Sequence, residues 1–195
     1  MFNSISGRER FTLVAHDWGA VVSWRFVTKY MDMLDNYVMI GAPSSPVWNK
    51  LIVSSWKQFK MSWYMFFFQM PMLPEYAVCL NDMDRFKVMD VDKEELEVYK
   101  YTFGQKGAFT GPMNYYRANM KFLNPTAPIK RPLKFSRGLF LLGEKDYYIS
   151  KEVGPLLQKY FVNLDFKVVE GANHFAQQHK PEETNRLIRE FLNKK

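Results

Sequence analysis

The sequence is poor in the residues that staple small proteins or bind metals. Its 195 residues include one cysteine, Cys79, which excludes a disulfide within the chain and a cysteine-based metal site. It has three histidines, His16, His174 and His179. No apolar run reaches the roughly 18 residues that a membrane-spanning helix needs. Any histidine-dependent chemistry must therefore use one of these three side chains, and His179, among polar residues, is predicted to lie on the surface.

Charge gives little information about a partner. The formal net charge is +7, but the lysines and arginines are scattered rather than gathered in one run. No nucleic-acid-binding motif is present, so no nucleic-acid partner is predicted and the basic surface is expected to serve solubility. With 47% hydrophobic residues, the chain can form the core of an ordinary globular domain.

Apolar runs and turn residues predict an α/β fold with a parallel sheet. An apolar strand at 11–15, predicted to be buried, a helix after Gly19 and a strand at 37–40 form a βαβ unit, which requires parallel strands. The same pattern resumes near the C-terminus, with strands at 138–143 and 164–169 and helices at 152–160 and 181–192. Four parallel strands would leave an exposed apolar edge, which proteins normally avoid.

The central part of the chain has a different character. Residues 46–124 are rich in aromatic side chains, show no strand alternation and include an exposed helix at 93–101. We predict that they form a helical cap inserted between strands. Residues 1–45 and 125–195 would then form the α/β core.

One short motif predicts a nucleophile. Ala15-His16-Asp17-Trp18-Gly19 follows a strand and precedes a helix, as the nucleophile elbow of α/β-hydrolases does, with aspartate where serine is usual. A carboxylate there would form an alkyl ester with a carbon electrophile. The backbone N–H of Trp18 would be one oxyanion donor. The alternative is that Asp17 only caps the helix that follows.

Two further polar residues follow strand ends. Asp146 comes after the strand at 138–143, and His174 comes after the strand at 164–169. Carboxyl ends of parallel strands share one edge of a sheet, and the order nucleophile, acid, histidine is that of α/β-hydrolases. We expect His174 to be the general base and Asp146 to orient it. Taken singly, Asp146 also suits a turn and His174 an ordinary loop.

The motif around Asp17 resembles that of the epoxide hydrolases and haloalkane dehalogenases. Epoxide hydrolases carry two cap tyrosines that polarise the epoxide oxygen. The segment Gly111-Pro112-Met113-Asn114-Tyr115-Tyr116-Arg117 resembles the motif around the second and assigns that role to Tyr116, with Tyr115 as a competitor. The segment Trp63-Tyr64-Met65-Phe66-Phe67-Phe68-Gln69 resembles the region of the first and assigns its role to Tyr64.

The resemblance runs from about Arg10 to Leu192 and favours an animal branch whose members carry an N-terminal membrane anchor. It begins at the nucleophile strand, so only the C-terminal half of the family's sheet is matched, without the His-Gly-x-Pro loop that supplies the second oxyanion donor. We therefore expect the chain to be a truncated gene model, splice form or fragment, and poorly stable and weakly active alone. Membrane association would require an N-terminal segment outside this sequence.

The resemblance implies hydrolysis of a small lipophilic epoxide, with water, to a vicinal diol. It implies no metal and no organic cofactor. A haloalkane dehalogenase using Asp17 and Trp18, and a non-catalytic remnant, are the alternatives. For the location of the full-length protein, the cytoplasm and the endoplasmic reticulum membrane both stay open.

Overall fold

A computed structural model describes residues 10–120 and 136–194. At its centre is a parallel sheet with the strand order β1-β2-β3-β4. The strands are β1 (Phe11–His16), β2 (Leu34–Ile40), β3 (Arg137–Gly143) and β4 (Leu164–Val169). The predicted α/β class with a parallel sheet is therefore confirmed.

Helices cover both faces of this sheet. One face packs against α1 (Trp18–Lys29) and α8 (Val153–Tyr160), and the other against α10 (Pro181–Asn193). The two central strands are apolar or glycine at 37–40 and 138–143, because side chains on both faces are buried there. This rigid centre fixes the positions at which the strands end.

Strand β1 is less buried than its apolar sequence predicts. It pairs only with β2 among the described residues, and Val14 is 52% exposed. The expectation of a fully buried strand is wrong for β1, because burial depends on neighbours on both sides of a strand. The bare edge, also expected, is the physical reason.

A helical segment separates β2 from β3 and has a small apolar cluster of its own around Val78, Phe109 and Met113. A bidentate ion pair between Arg117 and Glu75 joins two of its helices. The helices are α2 (Ser45–Ser54), α3 (Trp56–Met61), α4 (Trp63–Phe67), α5 (Leu73–Cys79), α6 (Lys93–Gly104) and α7 (Thr110–Asn119). A short α9 (Ala176–His179) precedes α10, and 3-10 turns span Met31–Met33 and Leu80–Met89.

The division into core and cap stays a prediction. Its boundary at 124/125, and residues 1–9 of the predicted core, lie outside the described residues. Within 10–120 and 136–194, no helix combines the length and hydropathy needed to cross a membrane. The predicted exposed helix at 93–101 is confirmed, since α6 has no buried residue.

Candidate active site

Asp17 lies at the sharp turn between β1 and α1. Its backbone has φ 51° and ψ −124°, a conformation that costs a non-glycine residue of order 1–3 kcal/mol. Its N–H donates to the carbonyl oxygen of Ile40 at 3.1 Å, which ties the turn to β2. The side chain makes no capping hydrogen bond to α1, so the interpretation of Asp17 as a simple helix cap is wrong. The strained turn places the carboxylate within 3.1 Å of Nε2 of His174.

Asp17, His174 and Asp146 form one hydrogen-bonded chain. Nε2 of His174 lies 3.1 Å from Oδ1 of Asp17, and Nδ1 lies 2.8 Å from Oδ2 of Asp146. Both His174 and Asp146 have buried side chains, whereas that of Asp17 is 42% exposed. The histidine therefore bridges a buried carboxylate and one that a solute can reach.

Backbone N–H groups fix the buried carboxylate. Oδ1 of Asp146 accepts from the N–H groups of Tyr148 at 2.7 Å and Ile149 at 2.9 Å. This leaves Oδ2 for His174. A carboxylate with this many donors is held in one orientation, and it holds the imidazole in turn.

The loops that carry Asp146 and His174 meet because Gly143 has no side chain. A Cβ at Gly143 would lie 1.9 Å from the carbonyl oxygen of Asn173. The N–H of Lys145 donates to the carbonyl oxygen of Ala172 at 2.8 Å, which joins the two loops. On the other side of His174, Gly41 has φ 69°, and a Cβ there would lie 3.0 Å from the imidazole. Close backbone approach thus determines where the histidine sits.

Tyr64 and Tyr116 lie next to one another at the same site as the hydrogen-bonded residues Asp17 and His174. Their ring centroids are 5.8 Å apart and nearly perpendicular. The ring of Tyr116 also packs edge-on against the ring of Trp18, with the centroids 5.0 Å apart. Tyr115 is 53% exposed, so the helix presents Tyr116 rather than Tyr115 to the interior.

One cavity brings these groups together. Asp17, His174, Tyr64 and Tyr116 line it, and Trp18 lies beside them. Apolar side chains form much of its wall: Val21, Trp48, Met65 and Ile149. No cluster of ligands that could hold a metal ion occurs in the described ranges. The sequence-predicted residues other than Asp146 therefore share one cavity, with Asp146 behind His174.

The chain is similar in sequence to curated epoxide hydrolases. It is 33% identical to epoxide hydrolase 3 of Xenopus tropicalis, over 95% of this chain and 53% of that protein. It is 34% identical to epoxide hydrolase 1 of Caenorhabditis elegans, over 96% of this chain and 49% of that protein. The chain thus spans about half the length of these relatives. No protein-family model matches it.

A solved structure gives the fold. The epoxide hydrolase from Bacillus megaterium, in complex with an inhibitor, superposes with a TM-score of 0.81 at 21% identity, over 99% of this chain and 74% of that one. The described residues therefore have the α/β-hydrolase fold, and the sequence is similar to those of curated epoxide hydrolases. The resemblance seen in the motif around Asp17 is therefore confirmed.

The electrostatics of the site favour an ionised pair of Asp17 and His174 at rest. Burial alone would raise the pKa of Asp17, but the hydrogen bond and charge of His174, with the N–H of Trp18, lower it. Burial alone would lower the pKa of His174, but the two carboxylates raise it to about 9. The resting site therefore holds a carboxylate beside an imidazolium at neutral pH.

Removing the charge of Asp17 is expected to lower the pKa of His174. In the variant Asp17→Asn one of the two carboxylates that raise this pKa is lost, and an NMR titration of the imidazole nitrogens measures the change. In the wild type, the stabilisation from charged His174 is complete below about 6.5 and is lost as pH rises through about 9. The variant should lose less stability over that range. An unchanged pKa, as expected for the exposed control Asp32→Asn, would contradict the coupling.

Both tyrosines of the cavity stay protonated. Burial raises the pKa of Tyr64 and of Tyr116 well above the usual value, and for Tyr116 the charge of Asp17 adds to the effect. Two neutral phenols beside a carboxylate are hydrogen-bond donors over the whole physiological range. They are suited to an oxygen that gains negative charge.

The structure adds residues that sequence reasoning missed. Tyr148 lines the cavity, with its ring 4.9 Å from His174 and 5.2 Å from Tyr64. His16 contacts the carbonyl oxygen of His174 through Nε2 at 3.1 Å. Burial, followed by the charge of His174, lowers the pKa of His16, so it stays neutral beside the imidazolium. The available sequence signal for Tyr148 was its position two residues after Asp146, and that for His16 was its position directly before Asp17.

His179 is half-buried, with 21% of its side chain exposed, so the prediction of a surface position is confirmed only in part. Its Nδ1 accepts from the N–H of Asn173 at 3.2 Å, and its Nε2 lies 2.9 Å from Asp90. The amide of Asn173 also donates to the carbonyl oxygen of Met89 at 3.0 Å. The histidine loop is therefore tied to the segment between α5 and α6. Polar neighbours along the sequence gave no sign of this contact.

Proposed function

We propose that this chain carries the reacting groups of an epoxide hydrolase, which adds water to a lipophilic epoxide to give a vicinal diol. The observation that carries the proposal is one shared cavity. The carboxylate of Asp17, hydrogen-bonded to His174, lies there opposite the phenols of Tyr64 and Tyr116. A carboxylate nucleophile suits an electrophilic carbon, and two donors suit the oxygen that leaves it.

In the first step Asp17 attacks an epoxide carbon and the carbon–oxygen bond breaks. The new bond is an alkyl ester of Asp17. Tyr64 or Tyr116 donates its proton to the released alkoxide, and the other phenol stabilises the charge by a hydrogen bond. This step needs an ionised Asp17, which the lowered pKa provides.

In the second step water cleaves the ester. Esterification removes the charge of Asp17, so the pKa of His174 falls and the imidazolium loses its proton, which restores the phenol. Neutral His174 then takes a proton from water, which attacks the carboxyl carbon of Asp17. The N–H of Trp18, which already contacts this carboxylate, stabilises the oxyanion. Diol departs and leaves Asp17 ionised and His174 charged, so the cycle closes.

The second candidate, a haloalkane dehalogenase, draws support from the position of Trp18 in the cavity wall. Such an enzyme uses the same carboxylate and needs an N–H donor for the departing halide. Here the Trp18 ring packs edge-on against the ring of Tyr116, with the centroids 5.0 Å apart. The pair of buried phenols has no role in halide displacement, which favours the epoxide.

Phenylalanine at the two tyrosines separates these candidates. Tyr64→Phe and Tyr116→Phe are each expected to lower kcat/KM for an aryl epoxide by about 10²-fold or more, because each removes a donor to the developing alkoxide. Hydrolysis of a haloalkane by a dehalogenase would be unaffected. Steady-state assays with both substrate classes measure the difference.

The matched control is Tyr115→Phe. Tyr115 adjoins Tyr116 in the sequence but is 53% exposed, so its loss should leave epoxide hydrolysis within about twofold. Equal effects of all three substitutions, or wild-type epoxide turnover in the double variant, would contradict the assignment.

A further inference from the structure

Gln58 is a completely buried polar residue on α3, with 0% of its surface exposed. Both ends of its amide are hydrogen-bonded. Oε1 accepts from the N–H of Ser150 at 2.9 Å, and Nε2 donates to the carbonyl oxygen of Tyr148 at 2.7 Å and to Oγ of Ser62 at 3.1 Å. An N–H meets the carbonyl end and oxygens meet the amino end, so one orientation of the amide satisfies every partner.

These hydrogen bonds join two parts of the site. Ser62 directly precedes α4, on which Tyr64 lies, and its hydroxyl also donates to the carbonyl oxygen of Gln58 at 2.8 Å. The other partners, Tyr148 and Ser150, belong to the loop that begins at Asp146. The amide therefore connects the helices that carry a phenol donor to the loop that carries the acid.

The same loop is held from its other side by Asp146. That carboxylate accepts from the N–H of Tyr148, while Gln58 binds the carbonyl oxygen of the same residue. The loop geometry that directs Oδ2 of Asp146 to His174 thus depends on two groups that act together. With Gln58 removed, the N–H of Ser150 and the carbonyl of Tyr148 would lose their partners in a buried place.

We propose that Gln58 is a positioning residue, which fixes the Asp146 loop relative to the helix that carries Tyr64. The inference rests on the proposed function for its chemical consequence. A loosened loop weakens the orientation of His174 by Asp146. Attack by Asp17 on the epoxide does not use that pair, so ester hydrolysis slows more than ester formation.

The test compares Gln58→Met with Gln69→Met. Methionine keeps the length and the apolar packing of glutamine but removes the hydrogen bonds. Gln69, in the turn after α4, is a matched control, because among the described residues its amide donates to the nearby carbonyl oxygen of Met65 at 3.0 Å and not to the Asp146 loop. Hydrogen–deuterium exchange of the amides at 148–150 should be about tenfold faster or more in Gln58→Met and unchanged in Gln69→Met. Equal exchange in the two variants would overturn the proposal.

A second readout separates positioning from loss of stability. In single turnover with an aryl epoxide, Gln58→Met should show a larger ester-bound fraction on Asp17 than the wild type, since only the second step slows. A variant that is merely less stable would lose both steps together, and that result would overturn the positioning role. If the wild type forms no ester, the proposed function fails, while the exchange experiment still decides the role of Gln58.

Gln58→Glu covers the case in which Gln58→Met does not fold. A neutral carboxyl can accept from Ser150 and donate to Tyr148, whereas a carboxylate cannot donate. Burial disfavours the charged form, so at low pH the amides at 148–150 should exchange as slowly as in the wild type. As pH rises and the carboxyl ionises, their exchange should become faster than in the wild type. A ratio of variant to wild-type exchange rates that stays constant with pH would overturn the proposal.

Discussion

Asp17→Ala is expected to abolish epoxide hydrolysis, with a loss of at least about 10⁴-fold in kcat. The variant lacks the only carboxylate that lines the cavity among residues 10–120 and 136–194. Asp146 cannot replace it, because its side chain is buried behind His174 and its oxygens are engaged by the imidazole and two backbone N–H groups. Diol formation measured by chromatography, with circular dichroism to verify folding, checks this result.

The control is Asp32→Ala, which removes an exposed carboxylate in the 3-10 turn before β2. It should keep wild-type turnover. Residual activity of Asp17→Ala above a hundredth of the wild type, in a folded protein, would contradict a covalent role for Asp17. A wild type that is folded but inactive would favour the non-catalytic remnant.

His174→Gln is expected to trap the enzyme as its ester. Ring opening needs Asp17 and the phenols, whereas ester hydrolysis needs a base, and loss of a general base costs about 10²- to 10⁴-fold. Intact-protein mass spectrometry should find one added epoxide per chain, and peptide mapping should place it on Asp17. In the wild type the adduct should be transient.

His179→Gln is the matched control for this experiment. His179 contacts the histidine loop at Asn173 but does not line the cavity. Its variant should turn over epoxide without accumulating ester. Consumption of epoxide by His174→Gln with no adduct, or an adduct on another residue, would contradict the two-step account.

Much of this site was predictable, because the carboxyl ends of parallel strands lie at the same edge of a sheet. Asp17, Asp146 and His174 follow strands whose carboxyl ends meet at one edge, and the structure brings them within hydrogen-bonding distance. The order of the three residues along the chain was therefore enough. The strained backbone of Asp17 follows from the same short connection between β1 and α1. Gly19 was less informative, since a Cβ there would meet no described atom within 4 Å.

Other parts of the site depend on packing between distant segments. The phenols of Tyr64 and Tyr116 could be assigned only through the resemblance, because nothing in helical periodicity says which aromatic residues turn toward the sheet. Gln58 and Tyr148 lie 90 residues apart and meet only in the folded chain. A buried glutamine leaves no periodic signal. Burial of β1 was overestimated because a strand's sequence does not reveal how many neighbours it has.

Isotope transfer in a single turnover tests the central claim, attack by Asp17, most directly. Excess enzyme is mixed with an epoxide in water enriched in ¹⁸O, and the diol and the peptide that contains Asp17 are analysed by mass spectrometry. The covalent mechanism predicts a diol with oxygen of ordinary mass and an Asp17 carboxylate that has gained ¹⁸O. A diol that contains ¹⁸O beside an unlabelled Asp17 would show direct attack by water and would contradict the account.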